Sequence, residues 1–186
     1  MQFDFTGITD SGSVTLTPGR YDVSTQGNWT ASETQGGHMR VYVPFTVQGD
    51  GEFSGASSAY YHTVMASGEP AKIRANKVFT LRLFTALGLL TENDRLTDGS
   101  MKAEFKYGGK DDNGRTAITA LMVNGEERKL EGRSAIAVVT VNPNTQSGIA
   151  VDRLEPAGKV SPPVGNNAKE VNGNATQGSK PAGLPF

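Results

Sequence analysis

A chain of 186 residues has room for one ordinary domain and an extension, and its 36% hydrophobic content is low for a chain folded throughout. Lys and Arg number 18 against 19 Asp and Glu, which excludes binding driven by bulk positive charge but leaves room for a local basic stripe. With no cysteine, disulfides, thiolate metal sites and cysteine nucleophiles are all excluded, and a reducing, cytoplasmic setting fits.

No stretch reaches the roughly 20 apolar residues of a membrane-spanning helix, and Met1-Gln2-Phe3-Asp4-Phe5 has neither part of a signal peptide. Val14, Leu16, Tyr21 and Val23 alternate with polar residues around Pro18-Gly19, which predicts one bent strand or two joined by a turn. The clearest strand is Arg40 to Val47. Val41, Val43, Phe45 and Val47 share one face at period two, leaving Arg40, Tyr42 and Thr46 on the other. Pro44 donates no ladder hydrogen bond and so predicts a free edge or a bulge. Ser58 to Val64 follows as a strand after the turn Gln48-Gly49-Asp50-Gly51.

From about Ala71 to Leu87 the period changes. Phe79, Leu83, Ala86 and Leu87 recur at helical spacing, Gly88 suits the left-handed residue that ends a helix, and Leu89 is placed to fold back on Phe84. Strands then resume: Met101, Ala103, Phe105 and Tyr107 alternate with Lys102, Glu104 and Lys106, and residues 108–114 read as a polar hairpin loop. Thr116 to Val123 is a strand ended by Asn124-Gly125, a strong two-residue hairpin signal. Ser134 to Val141 reads as a central, doubly buried strand, and Ile149 to Leu154 closes the domain.

Past Pro156 the composition shifts to Pro, Gly, Asn and Ala, with Val160, Val164, Val171, Leu184 and Phe186 as the large apolar side chains. Such a segment cannot offset an ordering entropy of about 1–2 kcal/mol per residue, so a disordered tail over 157–186 is expected. For residues 1–156, strands, one helix and more strands predict an all-β domain with one helix: a five-stranded OB-fold-like β-barrel with the helix plugging one end. A β-sandwich without a structural helix is the competing reading.

The inventory for catalysis is poor. His38 lies in the Gly-rich stretch 35–38 and His62 in a strand, with no HExxH, GxSxG or GxxxxGK pattern around them. Asp111-Asp112-Asn113-Gly114 lacks the downstream Glu of a calcium loop and reads as a solvated hairpin tip. No enzyme, metal site or cofactor is expected. Binding fares better, because single-stranded nucleic acid is held by aromatic faces that stack bases and by cations that follow the backbone. The candidates are Trp29, Arg40 and Tyr42, then Tyr60 and His62, then Lys102 and Lys106 with Lys110 and Arg115 flanking their loop. Tyr42 is the sharpest of these, since Val41 and Val43 force its ring outward beside Arg40. Tyr60 and Tyr61 point to opposite faces, so only one of the two faces the ligand.

Gly19-Arg20-Tyr21-Asp22-Val23, Val41 to Val47 and the helix end Leu83-Phe84-Thr85-Ala86-Leu87-Gly88-Leu89 together resemble a family of small phage-encoded proteins of replication and recombination. The resemblance covers roughly residues 1–155 and implies an OB-fold that binds single-stranded DNA without sequence preference. The final Leu184, Pro185 and Phe186 are similar to the tip of bacterial single-stranded DNA-binding proteins, which implies a replication or recombination partner for them. The acidic run that precedes such a tip is replaced here by Lys180. The alternative is a phage virion or decoration protein whose aromatics serve packing, with a glycan-binding β module behind it.

Overall fold

In the computed structural model, residues 15–111 and 113–158 are described. Of the expected tail, Ala157 and Gly158 are seen as a turn, with Gly158 at φ 81°. Its remainder, including Leu184, Pro185 and Phe186, lies outside the described residues.

The described chain folds as β1 (Gly19–Thr25), β2 (Trp29–Glu33), β3 (Met39–Val47), β4 (Ser57–Val64), α1 (Pro70–Ala86), β5 (Ala103–Lys110), β6 (Thr116–Val123), β7 (Glu126–Arg128), β8 (Ser134–Val141) and β9 (Ile149–Pro156). It is mostly β with one α-helix, as the alternating segments predict. The strands form one antiparallel sheet in the order β5-β6-β2-β3-β1-β8-β9, with β4 on the other edge of β3 and β7 on β6.

β3 is the hub. One of its edges is shared: β2 takes the first half, from Glu33↔Met39 to Thr30↔Tyr42, and β1 takes the second, from Thr25↔Phe45 to Val23↔Val47. β1 and β2 thus act as one long strand that bends at residues 26–28. This corrects the free edge or bulge expected at Pro44. The Pro44 carbonyl accepts from the Gln26 N–H at 2.9 Å, so the proline nitrogen faces the same edge, at the break between β1 and β2 where no ladder bond is missed. Val41, Val43, Phe45 and Val47 are buried on the core side with Val23, Trp29, Ile118, Ala137 and Leu154.

The sheet does not close into the expected five-stranded barrel. β4 and β9 lie alongside each other, yet no ladder joins them among the described residues, and the sheet stays open there. On the free edge of β4 the α1 residue Asn76 takes the place of a neighbouring strand. Its Nδ2 donates to the Thr63 carbonyl at 2.6 Å and its Oδ1 accepts from the Met65 N–H at 2.9 Å. The hairpin β5–β6 with β7 is an addition to the five-strand scheme and attaches to β2 through β6.

α1 ends by a backbone rule. Gly88 sits at φ 62°, its N–H donates to the Thr85 carbonyl, and the Leu89 N–H reaches back to the Phe84 carbonyl at 2.8 Å. Only the last turns of the helix are buried, through Leu83, Phe84 and Ala86.

Trp29 is fully buried at 0% exposure, and its indole N–H has no hydrogen-bond partner among the described residues. Its ring is part of the core and not of a surface platform. Trp29→Ala should cost about 3–5 kcal/mol in chemical denaturation, the range for emptying a large aromatic site. Trp29 emission in the native protein should resist a collisional quencher. Strong quenching would place the ring at the surface.

Candidate nucleic-acid interface

A cross-strand row builds the site. Pairing aligns Ala117 on β6, Thr30 on β2, Tyr42 on β3 and Tyr61 on β4 along one rung of the outer face. Thr30 and Ala117 are small, and Arg115, just before β6, lies over the Tyr42 ring at 5.9 Å. On the other side the Tyr61 ring is 5.3 Å from Tyr42, tilted by 59°. Tyr61 is 58% exposed. Arg40, two residues before Tyr42, is exposed on the same face, paired in register with Thr63.

Arg115 is held by the tip of its hairpin. The Asp111 carboxylate accepts the backbone N–H of Asn113 at 3.0 Å and that of Arg115 at 2.8 Å. Neither Arg40 nor Arg115 joins an ion pair among the described residues. Partial burial, then the neighbouring Tyr61, push the Tyr42 phenol up from its ordinary value against the opposing pull of Arg115. The ring is therefore neutral at physiological pH. A groove of about 870 Å³ runs from Arg40, Tyr42 and Tyr61 to the loop between β8 and β9. The groove offers the Tyr42 and Tyr61 rings and the Arg40 guanidinium beside a trough lined by Ser57, Ser58, Thr140 and Asn142, with Arg115 over the Tyr42 ring.

The other expected residues stand elsewhere. Tyr60 and His62 take the opposite parity from Tyr61 and face inward, their rings stacked at 6.1 Å. His62 is buried and its Nε2 meets the Thr80 hydroxyl of α1 at 2.8 Å. This corrects their assignment to the ligand face and puts Tyr61 in their place. The available signal was Val64, an apolar residue of the same parity as Tyr60 and His62. Lys106 is spent in an ion pair with Glu127 at 2.7 Å. Lys102 is exposed at a cavity of about 720 Å³ with Lys77 and Arg95, and Lys110 lines another of about 460 Å³ with His38 and Tyr107. Of the residues expected to hold the ligand, the structure brings together Arg40, Tyr42 and Arg115.

Among the described residues no three His, Asp or Glu side chains gather as a metal site, and no helix is long and apolar enough to cross a membrane. No family model matches the chain, and no curated protein matches its sequence.

His62 links the β4 parity to pH. Burial pushes its imidazole below the ordinary value of 6.5. The unfolded state then binds the proton more readily, so the stability contributed is full above the unfolded value and is lost as pH falls through it. The melting temperature of the wild type should drop between about pH 7 and pH 5, and His62→Gln should flatten that drop. Identical pH profiles would mean that His62 is not held neutral in the fold.

Proposed function

We propose that this chain binds single-stranded DNA without sequence preference, on the outer face of β3 and β4, and protects it during replication or recombination. The observation that carries the reading is the Tyr42–Tyr61 pair with Arg115 over the Tyr42 ring and Arg40 on the same face. Stacking needs an exposed aromatic face, which every base can use, and cations that are not already neutralised. Tyr61 supplies the exposed face, and among the described residues neither arginine has an ion-pair partner.

The strand order supports an OB reading of the scaffold. The bent strand β1–β2, then β3, β4, the helix, β8 and β9 follow the three-strand, helix, two-strand succession, with β5 to β7 inserted after the helix. β4, β3, β1, β8 and β9 are neighbours in that order, and β4 and β9 run in the same sense at the open seam. In OB-folds, which are partly open barrels, the face of the second and third strands and the loops beside it bind oligonucleotides. β3 and β4 are those strands, and the loop between β8 and β9 borders the groove.

The test is fluorescence anisotropy with labelled oligo-dT and with duplex of equal length. Single strands should bind tighter, with a log–log salt slope near −0.7 per phosphate contacted. Tyr42→Ala should weaken binding by about 1–3 kcal/mol, the worth of one stacked base, with little change in melting temperature. Arg115→Ala should weaken it and lower the salt slope. Preference for duplex, or full affinity in Tyr42→Ala, would remove the basis of the reading.

A further inference from the structure

The open seam between β4 and β9 joins two hollows. The groove beside Tyr42 and Tyr61 and a cleft of about 550 Å³ between α1 and β9 share Tyr60 and Asp152 as walls. At the far end of the cleft stands Phe79, 56% exposed, with the Arg82 guanidinium over its ring at 5.7 Å. An aromatic ring under an arginine thus borders each of the two adjoining hollows: the half-buried Tyr42 under Arg115 and the exposed Phe79 under Arg82.

The charge on α1 has no account in helix stability. The helix carries Lys72, Arg74, Lys77 and Arg82 and no acidic residue. Three of these cations sit in its first half, where the macrodipole disfavours positive charge, while the last turn has none. Lys72 alone among them forms an ion pair in the described residues, with Glu69. The carboxylates along the trough are already met by arginines: Asp152 by Arg153 at 2.6 Å, and Glu155 by Arg153 at 2.8 Å and by Arg20. Among the described residues, the carboxylates that line the trough are thus each met by an arginine on the way to the helix.

We infer that the single strand, once seated on Tyr42 and Tyr61, crosses the seam and reaches α1, where Phe79 stacks a further base and Arg82 meets the phosphates. This rests on the proposed DNA reading and extends its footprint from one sheet face to a path around the edge of the domain. A closed barrel would not leave this passage.

Binding of oligo-dT of about 6 and about 20 nucleotides, on either side of the middle of the 4–16 range for one OB unit, separates the two ideas. Phe79→Ala should weaken the long oligonucleotide about tenfold and leave the short one unchanged, and Phe79→Tyr should restore it. Tyr42→Ala should weaken both. Melting curves of the Phe79 variants should overlay the wild type, because the ring is exposed. Unchanged affinity of Phe79→Ala for both lengths, with Tyr42→Ala impaired, overturns the path while leaving the platform standing. Equal loss at both lengths places Phe79 inside the platform's own footprint and overturns the extension too. Absence of binding by the wild type at either length removes the DNA reading and the path with it.

Discussion

The alternation of β3 is the constraint on which the rest depends. Val41, Val43, Phe45 and Val47 must all leave water together, and a slip of one residue would expose the four at once. Because β3 pairs on both edges, its register also sets the faces of β1, β2 and β4. The outward position of Tyr42 follows from the core and not from any preference of tyrosine. Tyr61 inherits its place by standing opposite.

The same pairing explains why the platform is uncrowded. The residues across from Tyr42 on the β2 side are Thr30 and then Ala117, so Arg115 reaches the ring without displacing a bulkier neighbour. At the other edge, Asn76 satisfies backbone groups of β4 that a strand would otherwise pair with. This lets the sheet stop at β4 without an unpaired end at Thr63 and Met65. The seam that results turns two separate hollows into one trough. An architecture that closed every edge would bury the Tyr60 and Asp152 walls and divide them.

Much of the fold was legible where a single local rule decides. Period two over 41–47, Gly88 after a helical run and Asn124-Gly125 between strands each act within a few residues, and Asn124 at φ 51° beside Gly125 at φ 90° has the left-handed geometry that turn requires. Positions decided by distant partners were not. Trp29 reads as a strand-end aromatic, and its burial depends on the bend at 26–28, which is set by β3. The stretch 57–64 has aromatics on both parities, so Tyr60 and Tyr61 could not be told apart by alternation alone. Lys106 looks free until β7 brings Glu127 across from it, and a three-residue strand leaves almost no sequence trace. The closure of the barrel was over-read for a similar reason, since an asparagine side chain can satisfy a strand edge as well as another strand does.

The central claim is that the ligand meets the sheet on the outer rung of β3 and β4. An NMR titration with unlabelled oligo-dT, following the tyrosine ring signals and the Trp29 indole, tests it most directly. The account predicts that the Tyr42 and Tyr61 rings shift together and saturably, while the buried Trp29 indole moves least. A saturable shift of the Trp29 indole, or of tyrosines other than Tyr42 and Tyr61, with those two rings unmoved, would contradict it.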